Sequence, residues 1–145
     1  MKAVKRWKYY CEFCKKSGGN KGIMVAHERS CTNNPNRACG VCSKLLKEPQ
    51  PDLARMLDTV NQYKGKIFEV ILDDDSIEFL WGREDCEKEV LEKLRDITDC
   101  PACILSALRQ SGVPFLFPSF KFKEELGEIW AQIRYDEFEW VHGYY

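Results

Sequence analysis

The chain has 145 residues, a net charge of −1, eight cysteines and two histidines, a length that suits one domain or a small finger joined to a modest helical core. Its basic first residues do not resemble a signal peptide, and no stretch approaches the roughly 18 uninterrupted apolar residues of a membrane span. We therefore expect an intracellular, cytoplasmic protein that has no membrane partner and keeps its cysteines reduced.

The small net charge hides an asymmetry between the two parts of the chain. Residues 1–48 carry eleven Lys/Arg against three acids, whereas residues 49–145 carry eleven Lys/Arg against twenty acids. A basic first third favours contact with nucleic acid, because clustered cations attract a polyanion and gain affinity when counterions are released. Solvation of a small basic module, or its docking on the acidic remainder, is the alternative interpretation.

The first third also contains four metal-ligand residues with the spacing Cys11-x2-Cys14-x12-His27-x3-Cys31. A two-residue gap lets both thiolates of a tight turn reach one ion. Asn20 can cap a short helix that runs to about Cys31 and places His27 and Cys31 on the same face. The spacing therefore predicts one closed, tetrahedral Zn²⁺ site.

Two further Cys-x-x-Cys pairs, Cys39/Cys42 and Cys100/Cys103, lie on either side of the central part of the chain. Together with the first four ligands these cysteines give eight ligand residues. Eight ligands are enough for a second closed site, and Cys86 is left over. We therefore predict two Zn²⁺ per chain.

The remaining helices are predicted from apolar residues at helical spacing and from signals at their ends. Asp52 can cap a helix that Gly65 should end, and Pro101 occupies the first position of a helix that ends before Gly112. Two more helices carry apolar stripes, at Val90, Leu91, Leu94 and Ile97 and at Leu126, Ile129, Trp130 and Ile133.

Residues 66–81 allow two interpretations. Residues 66–72 and 77–81 are rich in β-branched and aromatic side chains, and the acidic stretch 73–76 between them is turn-like. We predict a hairpin, although an apolar helix fits the pattern nearly as well.

Residues 9–31 resemble the Cys-Cys-His-His zinc finger family in its Cys-Cys-His-Cys variant. Tyr9 lies two residues before the first cysteine, the interval before the histidine is twelve residues, and Met24 supplies the apolar residue three positions before it. Gly18 stands where the family has its core aromatic, and the stretch 17–20 is too glycine-rich for a normal second strand. We therefore predict a zinc-clamped turn and helix and not a full ββα unit.

The resemblance also implies which residues would read DNA. The helix of that family reads bases from its positions −1, 3 and 6, which are Asn20, Ile23 and Ala26 here. Ile23 and Ala26 cannot make the paired hydrogen bonds that discriminate bases, and a lone finger buries little surface, so we expect no sequence-specific binding. Nucleic acid would instead be held mostly through its phosphates by Lys8, Lys15, Lys16, Lys21 and Arg29.

The two other cysteine pairs resemble the treble-clef arrangement of zinc proteins, with residues 43–99 inserted between a knuckle and a helix start. This resemblance implies that both pairs hold the second Zn²⁺. The rival interpretation is a redox pair, because Cys100-Pro101-Ala102-Cys103 resembles the active site of glutaredoxins, although a charged helix and not a strand precedes it here. We predict a mainly α fold with small β content, made of a zinc-stabilised basic finger, residues 1–36, and an acidic helical domain, residues 37–145, which the second, treble-clef-like site ties together internally.

Catalysis is not expected from these residues. His-Asn-His nucleases also combine two Cys-x-x-Cys pairs with a basic finger, but they need two histidines near the zinc module, and residues 28–141 contain none. No phosphate loop, serine elbow or dinucleotide fingerprint is present. A closed four-ligand site is structural, so we expect neither an enzyme nor a small-molecule substrate.

The whole chain is similar to small zinc-binding proteins encoded by bacterial viruses. Three segments carry this resemblance: His27-Glu28-x2-Cys31, Asn34-Pro35-Asn36-Arg37-x-Cys39-x2-Cys42 and Cys100-Pro101-Ala102-Cys103-Ile104-Leu105. It implies two metal sites and a host-cytoplasm setting. We predict a non-catalytic module whose leading ligand is nucleic acid; the alternative is a protein–protein adaptor that uses the acidic helical part and the aromatic tail, residues 138–145.

Overall fold

The computed structural model describes residues 1–83, 85–114 and 117–142, with only the backbone described for residues 136–142. About half of the chain is helical, and two small antiparallel sheets accompany the helices. In chain order the elements are β1 (Tyr9–Tyr10), β2 (Ser17–Gly18), α1 (Lys21–Ser30), a π-helical segment (Val41–Leu46), α2 (Leu53–Asn61), a 3-10 turn (Lys64–Lys66), β3 (Ile67–Ile71), β4 (Ile77–Trp81), α3 (Cys86–Ile97), α4 (Pro101–Gln110) and α5 (Phe122–His142). In these coarse terms the predicted helical chain with small β content is confirmed.

The first module is a short ββα unit. Helix α1 begins where the sequence predicts it, and the Asn20 side chain accepts a hydrogen bond from the Ile23 N–H at 3.0 Å. Strands β1 and β2 pair over two residues each. The expectation that residues 17–20 form no strand was wrong, because the Cys11 N–H donates to the Lys16 carbonyl at 2.9 Å and closes a turn that brings the two strands together.

Residues 66–81 form the predicted hairpin and not a helix. Strands β3 and β4 pair in register from Ile67↔Trp81 at the base to Ile71↔Ile77 at the far end. Asp75, in the connecting turn, has a left-handed backbone with φ 63°. At the base the Trp81 ring meets the Phe117 ring edge-on, with centroids 5.5 Å apart, and this contact fastens the hairpin to the core.

The main hydrophobic core is built around α4. Eight consecutive residues of this helix, 101–108, are buried, so the helix is covered on all sides. Helices α2 and α5 both pack against α4, and α2 also packs against α3. The largest fully buried side chains of this core are Phe117, Met56, Leu94, Ile104, Leu108 and Val60. A separate small cluster in the first module contains Cys11, Met24 and Cys31.

Two predicted details of the helices differ from the structure. Helix α2 ends at Asn61, before Gly65, because the chain turns Tyr63 into the core and continues as the 3-10 turn. On α5 the predicted stripe is only partly covered, since Trp130 is 44 % exposed. In the part of the chain that the structure describes, no helix has the length and apolar character needed to cross a membrane.

The buried Leu94 side chain allows a test of this core. Leu94→Ala is expected to lower the free energy of unfolding by about 2–5 kcal/mol, because it removes a fully buried side chain and leaves a cavity. Ile71→Ala is the matched control, since Ile71 is 73 % exposed and its truncation should change stability by no more than about 0.5 kcal/mol. Urea unfolding of both variants would measure the difference, and equal losses would contradict the position of the core.

Candidate metal centres

The first cluster joins the turn of the short ββα unit to the end of its helix. Cys11 and Cys14 lie on the turn between β1 and β2, and His27 and Cys31 lie at the end of α1. All four ligand atoms are within 4.8 Å of one another, and Cys14 Sγ is 3.2 Å from His27 Nε2. Cys11 and Cys31 are buried, whereas the other two are partly exposed. The structure thus brings together the four residues that the spacing predicts.

Backbone N–H groups surround the turn sulfurs of this cluster. The Phe13 N–H donates to Cys11 Sγ and the Lys16 N–H donates to Cys14 Sγ, both at 3.4 Å. Burial opposes ionisation of Cys11, but the backbone hydrogen bonds and the sulfur of Cys14 outweigh it, so the pKa of Cys11 lies below its usual value. Burial raises the pKa of Cys31 at the helix end. The turn therefore favours thiolate character, as a metal ligand requires.

The second cluster is the more deeply buried. Cys39 and Cys42 flank the start of the π-helical segment, and Cys100 and Cys103 lie at the start of α4. All four sulfurs lie within 4.8 Å of one another. Cys39 Sγ is 3.6 Å from Cys100 Sγ, and Cys42 Sγ is 3.6 Å from Cys103 Sγ. The contact joins parts of the chain that are 61 residues apart.

These separations fit a tetrahedral ion. Four sulfurs at about 2.3 Å from a central Zn²⁺ would lie about 3.8 Å from one another, and one nitrogen at about 2.0–2.1 Å shortens its edges to about 3.6 Å. The sulfur–sulfur contacts of 3.6 Å are close to the 3.8 Å edge, and the sulfur–nitrogen contact of 3.2 Å between Cys14 and His27 is shorter than its 3.6 Å edge. All eight cysteines are free thiols in the structure. A disulfide would need its two sulfurs about 2.05 Å apart, much closer than the 3.6 Å between Cys39 and Cys100. Each cluster could therefore hold one metal ion.

The pKa values of the second cluster shift in opposite directions. Hydrogen bonds from Cys100 and Cys103 hold the pKa of Cys39 far below its usual range. Burial raises the pKa of Cys42 to about 12, and hydrogen bonding to Cys100 raises the pKa of Cys103. Four buried sulfurs cannot all ionise at close range without a compensating cation. A coordinated metal ion would supply that charge, since a coordinating thiol is deprotonated.

Arg37 contacts the second cluster, a contact that the sequence pattern did not predict. Its Nη1 donates to Cys103 Sγ at 3.6 Å, and its Nε donates to the Ser30 carbonyl at 3.3 Å. The residue is only 7 % exposed. It therefore joins the last residue of α1, next to the ligand Cys31, to a sulfur of the second cluster. Its position two residues before Cys39 was visible in the sequence, but its contact with Cys103 was not.

A second set of hydrogen bonds fixes the segment between the clusters to α4. The Thr32 carbonyl accepts from Ser106 Oγ at 2.7 Å and from Gln110 Nε2 at 2.8 Å. Thr32 Oγ1 accepts from Arg109 Nη1 at 2.8 Å. The chain leaving the first cluster is thus held on the helix that carries half of the second.

Gln50 supports the other side of the second cluster. Its Nε2 donates to the Arg37 carbonyl at 2.9 Å, and its Oε1 accepts from the Cys39 N–H at 2.8 Å. Cys86 is fully buried within the fold and belongs to neither cluster.

The five residues predicted to contact phosphates all lie exposed on the first module. Lys8 is next to β1, where its Nζ lies 5.6 Å from the centre of the Tyr10 ring. Lys15 and Lys16 are on the cysteine turn, and Lys21 and Arg29 are near opposite ends of α1. Among the described residues none of the five forms an ion pair.

No protein-family model, no curated protein and no solved structure matches the chain. The resemblances to zinc fingers and to zinc proteins of bacterial viruses therefore remain predictions.

Arg37 gives a direct test of the second cluster. Arg37→Gln is expected to weaken metal binding there by about 10–100-fold, because it removes a buried cation that donates to a ligand sulfur. Arg109→Gln is the matched control, since Arg109 holds the same segment through Thr32 but contacts no sulfur. Competition with a chromophoric chelator would give the affinities, and the thiolate charge-transfer band of the Co²⁺ form would report on the ligand field. A wild-type affinity and band in Arg37→Gln would contradict this role.

Proposed function

We propose that the chain is a non-catalytic binding module built on two structural Zn²⁺ ions, with nucleic acid as its ligand. The observation that carries the metal assignment is the grouping of eight ligand residues into two separate sets of four. A set of four protein ligands leaves no open position for a substrate or an attacking water, which favours a structural role over catalysis. Cysteine ligands also require a compartment in which thiols stay reduced.

Zinc fits both clusters better than the other metals that bind cysteine. Three thiolates with one imidazole, and four thiolates, are both common tetrahedral ligand sets for Zn²⁺. An iron–sulfur cluster would hold cysteine sulfurs on different irons much farther apart than the 4.8 Å within which all four sulfurs of the second cluster lie, because iron and sulfide ions stand between them. Hard cations such as Mg²⁺ and Ca²⁺ prefer oxygen ligands.

In this proposal the chain divides into a finger and a helical domain. Residues 1–36 would form the finger, and residues 37–145 the helical domain. Two separate apolar clusters support the division, one around Met24 and one around α4. The second site would have a treble-clef-like form, since a knuckle at residues 39–42 faces a helix N-terminus at residues 100–103.

Exposed aromatic side chains support nucleic-acid binding by the finger. Trp7 is 84 % exposed, and Tyr10 and Phe13 are also exposed on the same basic module. Aromatic rings next to cations are the pattern that holds single strands, because every base can stack on a ring while its phosphate meets a cation. Positions 23 and 26 of α1 remain apolar, so the binding would not discriminate sequences.

Fewer observations support the alternative function as a protein–protein adaptor. It requires the aromatic tail, residues 138–145, whose side chains lie outside the described residues. In the described part of α5 its support is two exposed aromatic side chains, Trp130 and Tyr135.

Zinc content tests the first part of the proposal. Native mass spectrometry with elemental analysis should find about two Zn²⁺ per chain.

Two cysteine variants test the division into finger and helical part. Cys31→Ser and Cys100→Ser should each lose one ion, but the loss should affect different parts of the chain. Cys31→Ser should chiefly loosen residues 9–31, whereas Cys100→Ser opens a closure of 61 residues and should destabilise the helical part by about 4 kcal/mol, the value for a cross-link of that span. One zinc in the wild-type protein, or equal destabilisation of the whole chain by both variants, would contradict the two-site division.

Salt dependence tests the second part. Binding of single- and double-stranded DNA and RNA at two salt concentrations should show affinity that falls steeply with salt and depends little on sequence. Replacing Lys15, Lys16 and Lys21 with Glu should abolish binding at physiological salt without releasing zinc, because none of the three is a ligand. Each lost phosphate contact should reduce the salt slope by about 0.7 to 0.9.

The control changes the same charge at exposed lysines of the acidic part. Replacing Lys64, Lys88 and Lys123 with Glu should leave much of the binding intact, since these residues lie outside the basic module. Equal loss in both triple variants would show that only net charge matters. No binding of any nucleic acid at low salt would end this proposal.

A further inference from the structure

The β3–β4 hairpin exposes most of its apolar side chains. Alternate residues of each strand point to opposite faces, and the outer face carries Phe68, Val70 and Leu80, all exposed. On the other face Trp81 packs against the core at the base of the hairpin, and Ile67 and Phe79 are half-buried. Ile71 and Ile77, at the far end of that face, are exposed as well. Five of the ten residues in the two strands therefore have large apolar side chains that are exposed to solvent.

The fold of the chain itself does not account for this exposure. The sheet has two strands, so within the described chain each strand has one edge without a strand partner. A two-stranded hairpin is only marginally stable in water unless a further layer covers it. An apolar face next to free backbone edges is the form of surface to which another strand adds.

The Phe68 ring packs on the backbone at the base of the hairpin. It lies across Gly82, where an added Cβ atom would come within 2.5 Å of its Cε2. The Gly82 N–H donates to the Lys66 carbonyl at 2.7 Å and closes the base of the hairpin. A side chain at position 82 would therefore displace the ring from this place on the outer face.

The charge of the hairpin selects the kind of partner. Residues 67–82 contain five acids, at positions 69, 73, 74, 75 and 78, and no Lys or Arg. Ser76 donates from both its N–H and its hydroxyl to Asp74, and its hydroxyl holds the pKa of that carboxyl below its usual range. The turn is therefore anionic at neutral pH. Two copies of the hairpin would bring ten acids together, which disfavours self-association.

We infer that the hairpin is the docking surface for an extended, basic segment of another protein. The segment would add as a strand to one free edge and place its apolar side chains against Phe68, Val70 and Leu80. Its alternate cationic side chains would lie on the opposite face near Glu69 and toward the acidic turn. Backbone hydrogen bonds supply the attachment in such a complex, and the side-chain pattern supplies the selectivity. This surface is distinct from the basic module proposed to bind nucleic acid.

Two synthetic peptides of nine residues test the inference. The first alternates Lys with Val and Tyr, and the second carries Glu in place of each Lys. The Lys peptide should bind the zinc-loaded, full-length protein at least about tenfold more tightly than the Glu peptide. Amide shifts of residues 67–81 in ¹⁵N spectra should locate the binding on the hairpin.

Matched variants separate the apolar and charged contributions. Val70→Thr with Leu80→Thr, and separately Glu69→Gln with Asp73→Asn, should each weaken binding of the Lys peptide at least about tenfold. Ile23→Thr is the control, because Ile23 is also exposed but lies on α1 in the other module. Zinc content and circular dichroism of each variant would show that it remains folded.

Three outcomes would overturn the inference. The first is equal binding of the Lys and Glu peptides, and the second is no binding of either at about 1 mM. The third is self-association in sedimentation experiments that Leu80→Thr removes, which would make the hairpin an interface between copies of this chain. A synthetic peptide of residues 1–10 tests whether the basic segment of a second copy is the occupant in such an interface. Binding of this peptide to the hairpin would identify that segment as the occupant. Loss of nucleic-acid binding in the lysine variants would leave all of these results unchanged.

Discussion

The meeting of two buried Cys-x-x-Cys pairs is the contact on which the rest of this chain depends. One pair lies at the start of the π-helical segment and the other at the start of α4. Because α4 is covered on all sides and contacts α2 and α5, fixing its N-terminus fixes the centre of the core. Closing a loop of 61 residues costs several kcal/mol of conformational entropy. A metal ion at this point would stabilise much more than its own four ligands.

The features that could be predicted from the sequence are those set by neighbouring residues. The ligand residues are recognised by gaps of two or three residues within each pair, whereas the joining of the two later cysteine pairs came from a family resemblance. The helix starts at Asn20 and Asp52 follow from side chains that accept N–H groups of the first turn. The hairpin was ambiguous because its apolar residues suit a strand or a helix equally. A distant contact, Trp81 with Phe117, fastens the hairpin to the core, and no local pattern could reveal it.

The role of Arg37 could not be predicted for the same reason. Its partner Cys103 is 66 residues away, and no pattern in the residues around the arginine predicts that contact. The strand at Ser17–Gly18 was missed because propensity argued against it, whereas the closed turn at Cys11 overrides propensity. In each case a tertiary contact decided what local reasoning left open or decided wrongly.

The separation of Cys39 and Cys42 from their partners has a consequence for synthesis on the ribosome. If each cluster holds an ion, the first would take its four ligands from residues 11–31 and could bind as soon as that short segment has emerged. The second would wait until residue 103 follows, 61 or more residues later, which takes about 3–12 s at about 5–20 residues per second. During that interval the thiols of Cys39 and Cys42 would lack their partners and would be exposed to oxidation, to a wrong metal or to pairing with a neighbouring nascent chain. Order of emergence, and not affinity alone, would then make the second cluster the more vulnerable during synthesis.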